Sequence, residues 1–186
     1  QRMAVVVMPL LPALASGVAF TCDPRTGRED RLVIHANWGL GEALVAGEVD
    51  ADEYVFAEDR EDCWRLETQL IGSKQVQRQP LPEGGTAAVA VSSAQATQPV
   101  LTGAQAEELA ALVWDAAQAL DVANPCYDLE WVWDGQRFWL VQARPVTRRP
   151  LYTYPALQGQ SAVWTRGNTG EVMPEPLSPM DWCFSR

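Results

Sequence analysis

The chain has 186 residues, 47% of them hydrophobic and 20% charged, enough apolar material to bury one core and to make one domain plus an appendage the natural count. Its 24 acidic side chains against 14 basic ones leave a net charge of -10, so no broad basic surface awaits a nucleic-acid polyanion, although a small anionic ligand needs only a few local donors. Four cysteines, Cys22, Cys63, Cys126 and Cys183, form no CxxC pair, which points away from a zinc knuckle or a disulfide framework and towards a reducing cytoplasm.

The first predicted element is MAVVVM, residues 3–8, continuous and β-branched like a strand buried on both faces. Pro9 and Pro12 end it, since proline donates nothing to a ladder. The whole apolar run 3–15 is too short to span a bilayer and lacks the cleavage site of a signal peptide. Because the chain begins at Gln1, already inside this run, it reads as a piece of a longer protein.

SGVAFTC, residues 16–22, predicts a second strand closed by the turn Asp23-Pro24-Arg25-Thr26-Gly27. The return strand, 32–36, carries His35, the only histidine, whose place among Val33, Ile34 and Ala36 suits a structural role. In NWGLGEALVAGEV, residues 37–49, Gly39 and Gly41 precede a short helix that Gly47 ends. A glycine turn opening a helix can offer backbone N–H groups to an anion, but the same pattern arises wherever two backbones pack closely.

Residues 54–57, 64–70, 75–78 and 87–91 alternate like strands of an antiparallel sheet, and Lys74 carries no assigned chemistry. Thr102 and Gln105 fit a capping box. After them Leu109, Leu112, Val113, Ala116, Ala117 and Leu120 recur at helical spacing, predicting an amphipathic helix of about five turns whose apolar face covers the hairpin that follows.

That hairpin is YDLEWVWDGQRFWLVQARPVT, residues 127–147, two apolar runs about an Asp134-Gly135 turn. Its polar residues, Asp128, Glu130, Gln142 and Arg144, are costly in strands that otherwise look like core. A two-residue loop would send Glu130 and Gln142 to opposite faces. A three-residue loop, 133–135, with Gly135 in the left-handed position, pairs Val132 with Gln136 and gathers Asp128, Glu130, Gln142 and Arg144 on one face. Leu129, Trp131, Trp139, Val141 and Ala143 then share the other. Two oxygen donors from neighbouring strands beside a guanidinium suit a hard divalent cation with phosphate, and a salt-bridged solvated face fits the spacing equally well. Beyond Arg144, three prolines at 145, 150 and 155, and three more in residues 164–182, read as a linker leaving the domain.

DLEWVWDG followed by LVQARPVT, with SGVAFTCDPRTG and GLGEALVAGEVDADEY upstream, resembles the nucleotide-binding domain of phosphoenolpyruvate synthase and pyruvate phosphate dikinase. The resemblance implies an α+β fold, the C-terminal lobe of an ATP-grasp domain, mainly antiparallel sheet with few helices, over residues 1–147, with 148–186 joining the next domain. It implies Glu130 and Gln142 as magnesium and ATP ligands and Arg144 as a phosphate contact with a catalytic role. It puts Glu53 near the nucleotide, and Met8, Pro9, Leu10 and Leu11 beside the adenine. Many members have Gln where this chain has Met8, so only backbone contacts carry over there.

By the same resemblance the parent protein moves a phosphoryl group from ATP through a phosphohistidine to pyruvate. The alternatives are another acceptor, such as a rifamycin antibiotic, and a non-catalytic module that keeps the fold. No second lobe with its glycine-rich loop precedes Gln1 and no GG-x-x-SH segment is present, so this chain alone is expected to be inactive. ATP, magnesium and a small acceptor reached through other domains are the implied partners, in the cytoplasm, with neither nucleic acid nor membrane.

Overall fold

The structure, a computed structural model, describes residues 7–59, 63–122 and 124–147. The predicted strand at 3–8 and the linker at 148–186 lie outside the described residues, apart from Val7 and Met8, which belong to no strand. Among the described residues, eight strands and three helices follow in the order β1 (Ala15–Phe20), β2 (Arg31–Trp38), α1 (Glu42–Val45), β3 (Asp52–Glu58), β4 (Trp64–Leu70), β5 (Val76–Pro80), β6 (Thr86–Ala90), α2 (Ser93–Ala96), α3 (Gly103–Leu120), β7 (Tyr127–Trp133) and β8 (Phe138–Pro145). Six strands form one antiparallel sheet in the order β4-β3-β2-β1-β7-β8, and β5 and β6 pair separately. The fold is α+β with a mainly antiparallel sheet, as the family resemblance implies.

Alternation divides the large sheet into two faces. One presents Ala15, Ala19, Leu32, Ile34, Ala36, Tyr54, Phe56, Leu129 and Trp131, all buried, and these meet Leu109, Ala110 and Val113 of α3 in a single core. The capping box forms as predicted, Gln105 N donating to Thr102 Oγ1 at 3.3 Å and Thr102 N donating to Gln105 Oε1 at 2.9 Å. The helix meets β4 and β2 rather than lying chiefly over the hairpin, and Trp114 packs edge-on against Trp64 at 5.0 Å. Rotated that way, α3 buries Leu109, Val113 and Ala117 of the expected apolar face together with Ala106 and Ala110, and leaves Leu112 and Leu120 of that face exposed.

The sheet is pinned from one side by a buried charge pair. Asp52 and Lys74 are both fully buried, and Lys74 Nζ donates to Asp52 Oδ1 and, at 2.9 Å, to Gly72 O. Asp52 also accepts from Gly72 N at 2.9 Å and Val100 N at 2.7 Å. This one carboxylate therefore ties β3 to the turn before β5 and to the start of the α3 segment. Lys74 pays for its position with φ of 37°, in the left-handed region. Tyr54 finishes the cluster, donating to Leu101 O at 3.0 Å, and its burial pushes the phenol pKa up to about 12.

Cys22 and Cys126 form a disulfide with Cα atoms 5.4 Å apart, which corrects the reading that the cysteine spacing indicates none. The two lie 104 residues apart in sequence and meet only because β1 pairs with β7, so spacing along the chain holds no trace of the contact.

Candidate functional site

The second face of the sheet is the polar one, and its register is set in the hairpin. The loop is four residues long, 134–137, with Trp133 opposite Phe138, not the three-residue loop that the alternation suggests. Asp134 organises it, accepting from Gln136 N at 2.8 Å, Arg137 N at 2.9 Å and Trp139 Nε1 at 2.7 Å. These bonds, the one from Trp139 foremost, hold its carboxyl below the usual range. Gly135 takes the left-handed conformation as expected, with φ of 97°.

By parity, a four-residue loop would put Glu130 and Gln142 on opposite faces. Val141 prevents it. The register slips by one between Glu130 and Trp131, so that Leu140 pairs with Trp131, Gln142 with Glu130, and Val141 is the extra residue of a β-bulge. Below the bulge Asp128, Glu130, Gln142 and Arg144 share one face as predicted. Above it the faces differ from the sequence reading: Trp139 pairs with Val132 and so stands on the polar side, its ring 4.0 Å beneath the Arg137 guanidinium.

The same face continues across the sheet. Cα partners line up as Gln142, Glu130, Val18, His35 and Glu53 on β8, β7, β1, β2 and β3, one row through five strands. A neighbouring row holds Arg144, Asp128, Phe20, Val33 and Val55. Glu53, named from a motif far from the hairpin, thus comes into line with Glu130 and Gln142. His35 joins them, a residue to which sequence gave no function; the signal was its parity with Val33 and Asn37 on β2.

Arg144 is half-turned towards the sheet. Its Nε and Nη2 both reach Asp128 Oδ2 at 2.7 Å, and that hydrogen bond raises the guanidinium pKa further. Asp128 is nearly buried while Arg144 stays 64% exposed, so one end of the guanidinium is held and the other faces outward. Glu53 accepts from Arg25 Nη2 at 3.2 Å and lies 3.6 Å from His35 Nε2. Burial lowers the His35 pKa, helped by Arg25 and opposed by Glu53. Arg25 stands on a turn built by Asp23, which accepts from Arg25 N at 2.8 Å and Thr26 Oγ1 at 2.7 Å.

Met8, Pro9 and Leu10 are exposed and Leu11 half-buried, in a segment without regular structure. The segment enters β1 beside the hairpin loop, Leu14 N donating to Trp133 O at 2.9 Å. In the glycine turn before α1, the amides of Gly39 and Leu40 are already taken. Gly39 N donates to Leu14 O and Leu40 N to Arg78 O, and a Cβ on Gly39 would stand 2.4 Å from Arg78 O, so close packing explains the glycine.

No group of three or more His, Cys, Asp or Glu comes together as a metal cage among the described residues. Glu130 and Gln142 supply a carboxylate and an amide, hard oxygen donors that fit magnesium, which routinely takes its remaining ligands from phosphate and water.

A family model described as pyruvate phosphate dikinase, AMP/ATP-binding domain, matches residues 1–156. The chain is 31% identical over 192 residues to a prodigiosin synthesizing transferase of Serratia marcescens, covering 98% of this chain and 21% of the relative. It is 33% identical over 153 residues to the phosphoenolpyruvate synthase of Pyrococcus furiosus, covering 78% of this chain and 18% of that protein. With a rifampicin phosphotransferase of Streptomyces sviceus it shares 32% identity over 182 residues, 96% of this chain and 20% of the relative. The chain therefore spans about a fifth of the length of the curated relatives it matches.

Proposed function

The chain belongs to the pyruvate phosphate dikinase AMP/ATP-binding domain family, the family of phosphoenolpyruvate synthase, and from that premise we propose that its polar sheet face is one wall of a magnesium·ATP site in a longer phosphotransferase. The observation that carries this is the order of groups along the hairpin. The 8–11 segment arrives at the loop end, the Glu130–Gln142 pair lies mid-strand, and Arg144 with Asp128 lies at the far end. A nucleotide laid along β7 and β8 would then meet the apolar 8–11 segment at its base, oxygen donors that would hold a cation mid-strand, and a guanidinium at the phosphate terminus.

In this reading Glu130 and Gln142 hold magnesium, which neutralises phosphate charge when bound. Asp128 fixes Arg144, and a guanidinium already held needs no reorganisation as charge builds on the transferred phosphoryl group. Glu53 works at one remove, holding Arg25 over the same face. Residues outside this chain, an ATP-grasp lobe opposite and a phosphohistidine carrier, complete transfer to pyruvate, and a cytoplasmic location goes with ATP as the phosphoryl donor. A rifamycin-type acceptor is the second reading, favoured by the longer match to rifampicin phosphotransferase, 96% of this chain against 78% for the phosphoenolpyruvate synthase.

Calorimetric titration with magnesium and ATP tests the wall. Each exposed ionic contact is worth about 1 kcal/mol or less, so binding to this wall alone is expected to be weak and to depend on Glu130. Weak binding that survives Glu130→Ala and is indifferent to magnesium would count against the metal assignment.

A further inference from the structure

We propose that Cys22 and Cys126 are a redox latch on the strand that carries Asp128 and Glu130: oxidation locks the phosphate-facing end of the sheet, and reduction loosens it. Its consequence for the ligand rests on the nucleotide reading above; its chemistry does not.

Cys22 lies between the end of β1 and the Asp23 turn, and Cys126 immediately precedes β7. The covalent tie thus joins the two places where the polar face is anchored. On the β1 side, Asp23 shapes the turn that carries Arg25. On the β7 side, Asp128 follows two residues after Cys126 and holds Arg144. The hydrogen bonds around the disulfide serve the same junction. Thr21 N donates to Tyr127 O at 3.0 Å, Tyr127 N donates to Thr21 Oγ1 at 2.7 Å, and Val146 N donates to Cys126 O at 2.9 Å, bringing the end of β8 into the same knot. No other disulfide is present among the described residues, and Cys63 is exposed on the far side of the sheet order, beside β4. On the cytoplasmic location proposed above the surroundings are reducing, and disulfides that form there are mostly transient or redox-sensing, so a pair placed at the entrance to the proposed metal strand reads as a reversible device.

A low-molecular-weight disulfide is the oxidant class that closes it. One cysteine thiolate attacks a sulfur of the reagent and expels a thiolate; the second cysteine thiolate attacks the protein sulfur of the mixed disulfide and expels the other half. One protein S–S bond forms, one reagent S–S bond breaks, two electrons pass to the reagent, and the two cysteine protons end on the released thiols. Cys22 is 0% and Cys126 3% exposed, so exchange proceeds through local opening of the strand ends.

The test uses the chain with Cys63→Ser and Cys183→Ser, leaving only this pair to respond. Thiols are counted by alkylation and mass spectrometry after equilibration in glutathione buffers, amide exchange is followed at residues 23–27 and 127–130, and Mn²⁺·ATP binding is read by paramagnetic relaxation, which reaches millimolar affinities. The expected result is that both cysteines open in one two-electron step and that opening speeds exchange in both segments by about tenfold or more. Mn²⁺·ATP binding should weaken by about threefold or more on reduction, and Cys126→Ser should match the reduced state in every buffer. Full alkylation in oxidising buffer, or exchange that ignores the redox state, overturns the latch. An exchange difference without any Mn²⁺·ATP effect in either state supports the latch and overturns the nucleotide reading.

Discussion

Glu130 faces Gln142 across the hairpin only because Val141 is surplus to the pairing. The loop of four residues would otherwise put these side chains on opposite faces, and the bulge restores the parity that the proposed site requires. Deleting Val141 should leave every pair from Tyr127 to Glu130 on its present face, since Gln142 then follows Leu140 directly into the place opposite Glu130. Cross-strand nuclear Overhauser contacts between Glu130 and Gln142 that persist in the deletion variant are the expected outcome. Their loss would mean that the bulge positions the side chains by its kink and not by its count.

The Asp52–Lys74 pair is the most heavily bonded buried charge among the described residues. Removing one partner leaves an uncompensated charge out of water, so Lys74→Met should cost about 3–5 kcal/mol. The Asp52→Asn/Lys74→Met double variant should cost less than the sum of the singles, because neither residue is then a lone buried ion. Urea unfolding of the three variants measures the coupling, and strict additivity would contradict it.

His35 makes stability depend on pH in a narrow window. Its pKa is lowered from 6.5 in the folded chain, so the unfolded chain binds the proton more readily between the lowered value and 6.5. The contribution is whole above 6.5 and is lost as pH falls through that window. His35→Gln should therefore flatten the unfolding free energy just below pH 6.5 and leave it unchanged above. As the only histidine, His35 can be read without interference from another imidazole. Parallel curves for the two proteins would show that Glu53 compensates its burial in full.

The features that could be read from sequence are those that rest on local chemistry. Asp134-Gly135 between alternating runs specifies a hairpin, and Thr102 with Gln105 specifies a helix start, because the groups that satisfy each other lie within a few residues. Non-local events left no such mark. The Cys22–Cys126 bond, the burial of Lys74 against Asp52 and the row that joins Glu53 and His35 to Glu130 all arise from strand pairing between distant segments. The bulge at Val141 is an intermediate case: alternation requires a parity correction somewhere in the hairpin, but the correction fits as well in the turn as in the strand. At Gly39 the sequence admits both an anion nest and close packing, and only the position of Arg78 decides between them.

Arg144 is the residue on which the proposed chemistry depends most. Asp128 takes Nε and Nη2 through one carboxylate oxygen, so the guanidinium plane is fixed while its outer edge remains available to a phosphate. Lysine would keep the charge and lose the fork, and so lose the simultaneous contact with Asp128 and phosphate. In a full-length protein with the proposed phosphotransferase activity, Arg144→Lys should lower single-turnover phosphorylation at saturating magnesium and ATP by about tenfold or more, with a smaller effect on ATP affinity, because the interaction strengthens as charge develops. Asp128→Asn should reproduce part of that loss by releasing the guanidinium, and Glu130→Ala should act instead through the magnesium dependence. A lysine variant that phosphorylates at the normal rate would leave Arg144 a structural partner of Asp128, and the phosphate end of the site would then have to be sought elsewhere on the face, beginning with Arg25.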